Sequence, residues 1–120
     1  MSSAINRRDT PLICLVVLVL VLGTVAAYWP VLRCGFVNFD APEFFFRTSI
    51  VRQGVPGPGL LWAFRSTQTA NWHPLTWISH MLDCEIHGLN AGGHHFTNLL
   101  FHSANVLLLF SLVVRLIGSR

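Results

Sequence analysis

The chain has 120 residues, of which 52% are hydrophobic and only 11% are charged. Soluble domains carry about 25% charged residues, so this composition excludes both an ordinary soluble globule and a disordered chain. The formal net charge is +3. Without a basic cluster, so small an excess excludes a nucleic-acid-binding protein.

The first predicted element is a transmembrane helix over residues 11–29. Most of this segment is apolar, and a helix of that length spans about 28 Å, close to the thickness of a bilayer core. Tyr28 and Trp29 close the span, where aromatic rings favour the headgroup region. A cleaved signal peptide is the alternative, with Arg7 and Arg8 ahead of the apolar run and Val25-Ala26-Ala27 as its cleavage site.

Residues 30–95 form a predicted large loop, rich in aromatic residues, glycine and proline, that folds into short helices on the membrane surface. The first of these helices begins at Asp40-Ala41-Pro42-Glu43 and ends near Gly54. The turn-rich residues 55–59 follow, and a short helix over 60–65 comes next.

The last predicted loop helix opens at His73-Pro74, because proline suits the first helical position. It runs to His87 and stops at Gly88. The sequence Ala91-Gly92-Gly93 then predicts a break in the chain before the second span.

A second transmembrane helix is predicted over residues 96–114, although it is less uniformly apolar than the first. Four polar side chains at helical spacing share one face of it, and such a stripe normally faces a bundle interior or a water-filled cavity. They are His95, Asn98, His102 and Asn105. A soluble amphipathic helix is the alternative, but the apolar run over 107–110 disfavours it.

The distribution of charge predicts how the chain is oriented in the membrane. Residues 1–10 carry a net +1, residues 30–95 carry four arginines and four acids, and residues 115–120 carry +2. Positively charged flanks stay cytoplasmic. We therefore predict an all-α membrane protein with both termini cytoplasmic and two transmembrane helices joined by a large extracytoplasmic loop.

Asp40 and Glu43 are the first candidate site residues. A carboxylate pair just outside the membrane can serve as the base for an acceptor hydroxyl. An acidic helix N-cap followed three residues later by glutamate also resembles a capping box, which is a purely structural role. The two interpretations are compatible, since capping would fix the direction of the carboxylate.

The histidines at positions 73, 80, 87 and 94 recur every seven residues. His80, Asp83 and His87 share one face of the predicted helix, and imidazole with carboxylate at this spacing can bind zinc. The same residues also make up the polar side of an ordinary amphipathic helix. We favour that interpretation and predict no metal and no cofactor.

Three arginines of the loop could each hold a lipid-linked phosphate, which a guanidinium matches in bidentate geometry. They are Arg47, Arg52 and Arg65, and an arginine that reaches toward lipid headgroups is the simpler alternative for each. Cys34 and Cys84 both lie in the loop, where an oxidising compartment permits a disulfide. Two free thiols fit the sequence equally well.

Three ordered stretches of the chain resemble one known family. Over about residues 28–117 the chain resembles the N-terminal end of the transmembrane and tetratricopeptide-repeat (TMTC-like) proteins, especially their bacterial relatives. The stretches are Phe36-Val37-Asn38-Phe39-Asp40, Asn71-Trp72-His73-Pro74-Leu75-Thr76 and Gly88-Leu89-Asn90-Ala91-Gly92-Gly93-His94-His95. That family belongs with the GT-C glycosyltransferases, which include the protein O-mannosyltransferases.

The resemblance implies an integral-membrane enzyme of the bacterial inner membrane. Such enzymes transfer a sugar from a polyprenyl-phosphate carrier to an acceptor, commonly a protein hydroxyl, on the extracytoplasmic face. Asp40 matches the leading acid of the family's first outer loop, so it becomes the expected base, assisted by Glu43. His73, His94, His95 and Arg47 become the expected substrate-binding residues.

Two departures from the family pattern bear on activity. Ala41 replaces the second carboxylate of the acidic pair, and the chain ends after its second span, whereas the family has further membrane helices and usually a repeat region. We therefore interpret the chain as an N-terminal fragment whose partners include the remaining helices of a longer polypeptide, and we expect it to be inactive alone. The alternative is a small two-span membrane protein that binds a partner or a metal without catalysis.

Overall fold

The computed structural model describes residues 10–37, 48–55 and 57–118, and all regular elements in these ranges are helical. The predicted all-α class is therefore confirmed for this part of the chain. The helices are α1 (Thr10–Tyr28), α2 (Ser49–Arg52), α3 (Pro58–Arg65), α4 (Pro74–His87) and α5 (Ala91–Gly118). Short 3-10 turns cover Trp29–Arg33 and Gln68–Ala70.

The chain divides into two compact units. One unit combines residues 1–30 with residues 98–120, and the other is Val31–Thr97. We call the first the helical pair and the second the loop unit. Helix α5 contributes its first part to the loop unit and the rest to the helical pair.

Most of each long apolar segment lies in the helical pair. Thr10–Arg33 and Ala91–Ile117 are both long and apolar enough to cross a membrane by length and composition. No side chain of α1 is buried, and an exposed apolar surface of this kind suits contact with lipid. The Thr24 hydroxyl donates to the Leu20 carbonyl oxygen at 2.7 Å, which satisfies the only hydroxyl between Pro11 and Ala27.

The loop unit has its core around α4, against which α2 and α3 pack. Five side chains form this core, and the largest, Trp77, has no exposed surface. They are Val51, Ala63, Trp77, Met81 and Cys84. The predicted helix from Pro74 to His87 is confirmed at both ends, because Pro74 opens it and Gly88, at a φ of 60°, ends it. The predicted helix over 60–65 is also present and begins two residues earlier, at Pro58.

The predicted break at Ala91-Gly92-Gly93 is wrong, because α5 begins at Ala91 and continues through these glycines. Asn90 caps the helix: its side-chain oxygen accepts a hydrogen bond from the Gly93 amide at 3.2 Å, which satisfies one of the unpaired N–H groups of the first turn. The glycines instead allow close packing. A Cβ at Gly92 would lie 2.6 Å from the Leu32 carbonyl oxygen, and one at Gly93 would lie 2.5 Å from the His87 ring.

The predicted helix that begins at Asp40 falls mostly outside the described residues. The described part of this segment contains the short helix α2, which begins after the non-helical N-cap Thr48, so the prediction of one continuous helix from Asp40 to Gly54 is wrong. Gly54 follows α2 at a φ of 85°. Glu85 of α4 holds this end of the segment, because its Oε2 accepts a hydrogen bond from the Val55 amide at 3.3 Å.

Replacing Gly59 with alanine is expected to destabilise the loop unit by about 1–3 kcal/mol, a typical cost of overpacking. The added Cβ would lie 2.9 Å from the Gly54 carbonyl oxygen and 3.3 Å from the Met81 sulfur, and a backbone carbonyl cannot move aside cheaply. Thermal unfolding of the purified chain in detergent, followed by circular dichroism, measures the loss. Gly23→Ala is the control, since a Cβ there meets nothing within 4 Å; equal midpoints for the two variants would contradict the prediction.

Candidate functional site

The candidate site lies where α4 and α5 meet within the loop unit. His80 and Asp83 are three residues apart on α4 and therefore share one helical face. After the turn that follows Gly88, His94 enters from the beginning of α5. One side-chain ligand atom from each of these three residues lies within 4.8 Å of the others. We call His80, Asp83 and His94 the His-Asp-His cluster.

His94 is held from both sides of its ring. Its Nε2 lies 2.8 Å from the Gly88 carbonyl oxygen, and because a carbonyl only accepts, Nε2 carries the proton and donates. Its Nδ1 lies 3.7 Å from Asp83 Oδ2. The ring edge also meets Phe36, with centroids 5.2 Å apart.

The cluster is largely removed from solvent. Asp83 is 4% exposed and His94 is 3% exposed, whereas His80 is half-buried. Burial lowers the pKa of His80, and the neighbouring His94 and His73 lower it further, although the Asp83 carboxylate opposes them. His80 is therefore neutral at physiological pH, which leaves one ring nitrogen as a lone-pair donor.

Two of the other predicted substrate-binding residues also lie in the loop unit. His73 is the N-cap of α4 and stacks on Trp77, with ring centroids 5.2 Å apart. The Nε2 of His95 lies 3.3 Å from the Gly35 carbonyl oxygen, and its ring lies 6.4 Å from that of Phe36. The structure thus brings His94 and His95 together around Phe36, whereas His73 lies at the opposite end of α4 from Gly88.

The remaining predicted site residues lie outside the described part of the chain. They are Asp40, Glu43 and Arg47, so their roles stay predictions. Of the other two arginines considered for phosphate binding, Arg52 and Arg65 are both exposed.

The polar stripe predicted on the second span lies on α5. Within the helical pair, the His102 ring meets the Tyr28 ring edge-on, with centroids 4.7 Å apart. Asn98 and Asn105 are exposed.

Sequence reasoning found two members of the His-Asp-His cluster and missed the third. The helical spacing of His80 and Asp83 suggested His87 as their partner, but the structure groups them with His94 instead. The ring of His87 lies 6.4 Å from that of His94. The signal was present in the seven-residue recurrence of histidine, but its use required knowing that the chain reverses after Gly88.

The cluster combines the two ligand types, imidazole and carboxylate, that proteins use most often for zinc and related ions. Two of its three side chains, Asp83 and His94, are buried. Comparisons with known protein families, with curated proteins and with solved structures returned no match.

Proposed function

We propose that the chain forms the first two membrane helices and the intervening extracytoplasmic loop of a GT-C-type, TMTC-like glycosyltransferase. The enzyme would take a sugar from a polyprenyl-phosphate carrier and transfer it to an acceptor, most simply a protein hydroxyl. The observation that carries the proposal is the ordered series of motifs at residues 36–40, 71–76 and 88–95. The described residues of all three motifs lie in one compact unit, which supports it.

Contacts between the first and last of these motifs add further support. Phe36, which begins the first motif, packs against the rings of His94 and His95 of the third. Asp40 follows Phe36 by four residues in the sequence. In the proposed enzyme, Asp40 removes the proton from the acceptor hydroxyl with help from Glu43, and Arg47 binds the carrier phosphate.

The histidines take different roles in this proposal. His95 and His73 are half-buried and contact or orient the substrate. His94 is buried with its Nε2 bonded to the Gly88 carbonyl oxygen, so it acts as a positioning residue for this end of the loop unit. The proposed location is the bacterial inner membrane, with both termini cytoplasmic.

A direct assay tests the proposal. Membranes containing the protein encoded by the complete reading frame around this sequence are supplied with labelled polyprenyl-phosphate sugars and an acceptor peptide. We expect transfer of one sugar to a hydroxyl of the peptide. Absence of transfer with every carrier-linked sugar, from protein shown to be folded, would reject the proposal.

A second function is favoured by the His-Asp-His cluster: a non-catalytic two-span module that binds a partner or a metal. In that case the polar stripe on α5 would form an interface in which asparagine and histidine bond between helices. A discrete oligomer of the isolated chain in detergent, with a bound metal, would favour this function.

Membrane orientation is testable through the cysteines, none of which forms a disulfide in the described structure. Cys34 is exposed, whereas Cys84 is 7% exposed, and burial raises the pKa of its thiol, as does the Asp83 carboxylate. Because the thiolate is the reactive form, Cys84 reacts slowly. We expect a membrane-impermeant maleimide to label intact cells at Cys34.

The matched variants make this labelling specific. Cys34→Ser should abolish the signal from intact cells, whereas Cys84→Ser should leave it unchanged. Labelling of Cys34 that appears only after the membrane is permeabilised would place the loop in the cytoplasm and reverse the predicted orientation.

A further inference from the structure

We infer that the His-Asp-His cluster is a binding site for one divalent transition-metal ion, with zinc as the ion that its ligand set fits best. This site goes beyond the proposed sugar transfer, because it is built from residues of α4 and the beginning of α5 and needs none of Asp40, Glu43 or Arg47. Two neutral imidazoles and one carboxylate supply three ligands, and a fourth position remains for water.

The backbone arranges the three ligands before any ion binds. His80 and Asp83 project from one face of α4 because they are three residues apart. The reversal after Gly88 then brings the first turns of α5 back toward that face, and Asn90 fixes where α5 begins. The close approach at Gly93, where no Cβ intervenes between the helix and the His87 ring, allows this packing.

The hydrogen bonding of His94 is the strongest observation for the site. Its Nε2–H donates to the Gly88 carbonyl oxygen at 2.8 Å, which is the usual arrangement of a metal-bound histidine, whose second ring nitrogen donates to a backbone carbonyl or carboxylate. In the neutral ring, this bond turns the lone pair of Nδ1 toward Asp83 Oδ2, 3.7 Å away. A divalent ion between Nδ1 and Oδ2 would take one ligand atom from each residue.

The separations suit an ion better than a hydrogen bond. A tetrahedral zinc ion with bonds of about 2.0–2.1 Å holds its ligand atoms roughly 3.3 Å apart. The 3.7 Å between His94 Nδ1 and Asp83 Oδ2 is close to that value and is beyond good hydrogen-bond geometry. The full set lies within 4.8 Å, which is wider than tetrahedral spacing, so binding of the ion would draw the side chains closer together.

The solvent access and the charge of the cluster also suit a divalent ion. His80 is half-buried, so an ion can enter on its side of the cluster, whereas Asp83 and His94 are closed off. The Asp83 carboxylate neutralises half of the ion's charge. A bound ion would cross-link α4 to the beginning of α5 and hold the turn between them.

The test measures zinc alone on the full 120-residue chain, purified in detergent and stripped with a chelator. Competition against a chromophoric zinc indicator gives the affinity, and elemental analysis after dialysis gives the stoichiometry. We expect one zinc per chain, and we expect cobalt(II) at the same site to give the intense visible absorption of tetrahedral coordination.

Four variants identify the ligands. Asp83→Asn keeps the size of the side chain, and His80→Asn replaces the ring by a smaller polar group. Each should weaken zinc binding by at least about 100-fold, more than loss of an outer-sphere partner does. His87→Ala removes the histidine that neighbours the cluster without belonging to it, and His102→Ala removes an exposed histidine that meets Tyr28. These two controls should bind zinc as the unsubstituted chain does.

Three results would overturn the site. The first is the absence of stoichiometric zinc on the unsubstituted chain. In that case the cluster is an ion pair between protonated His94 and Asp83. The second is unchanged zinc affinity in both asparagine variants. The third is loss of binding in His87→Ala, which would assign the ligands to α4 alone. Circular dichroism of each variant separates the loss of a ligand from the loss of folding. We expect His80→Asn to remain folded, because His80 lies at the accessible edge of the cluster and outside the core.

Discussion

Under the proposed function, Asp40→Asn is expected to lower sugar transfer by the full-length protein severely while leaving its expression and membrane insertion unchanged. Asparagine has nearly the same shape as aspartate but cannot accept the proton of an acceptor hydroxyl. General base catalysis contributes about 10²–10⁴-fold to rate, so transfer should fall by about that factor. The measurement is the initial rate of transfer from a polyprenyl-phosphate sugar in membranes with equal amounts of each protein.

Glu85→Gln is the matched control, because it makes the same carboxylate-to-amide change on an exposed acid of the same loop. Glu85 accepts a hydrogen bond from the Val55 amide, so its substitution affects the loop locally and should leave the rate near that of the parent enzyme. Retained activity in Asp40→Asn would show that Asp40 is not the base and would favour the helix-capping role that its sequence context also allows. Ala41→Asp restores the adjacent carboxylate of the family pattern and should raise the rate if its absence limits catalysis.

Trp77→Ala is expected to unfold most of the loop unit. Trp77 has no exposed surface, and its ring meets Trp62 edge-on at 5.1 Å and stacks on His73 at 5.2 Å. Removing a buried tryptophan costs about 3–5 kcal/mol, a large part of the roughly 5–15 kcal/mol that stabilises a typical domain. Limited proteolysis of the chain in detergent should therefore cut within residues 48–90 far faster than in the parent.

Trp72→Ala is the control for this effect, since it removes the same side chain from the same loop. Trp72 is 64% exposed, and its Nε1 donates one hydrogen bond to the Phe64 carbonyl oxygen at 2.9 Å. Loss of that bond costs about 0.5–1.5 kcal/mol, so proteolysis should remain close to that of the parent chain. Equal sensitivity of the two variants would show that the core around α4 does not hold the loop unit together.

Helix α4 shows how far local signals reach in this chain. Proline at the first helical position and glycine after the last residue both act within one turn of the backbone, and both ends of α4 follow from them. The apolar helix α1 was equally predictable, because a long uncharged run needs no tertiary partner to be helical in lipid. The same reasoning failed at Gly92 and Gly93, which serve close packing against Leu32 and His87 and do not break the helix.

The full membership of the candidate site also could not be predicted from the sequence, because its residues come from two different helices. Sequence spacing places His80, Asp83 and His87 on one helix face but carries no signal for which residue the next helix brings to that face. The two tryptophans show the outcome of packing, since Trp72, in the loop before α4, is largely exposed and Trp77, within α4, is completely buried.

The sequence by itself determined the helical class, the two apolar helices, both ends of α4 and the order of the motifs that resemble TMTC-like proteins, because each depends on composition or on neighbours within a turn or two. Only the tertiary structure decided that α5 runs unbroken through its glycines, that Trp77 centres the core and that His94 joins His80 and Asp83. These features depend on contacts between residues that are distant along the chain, and such contacts arise only when the chain reverses and packs.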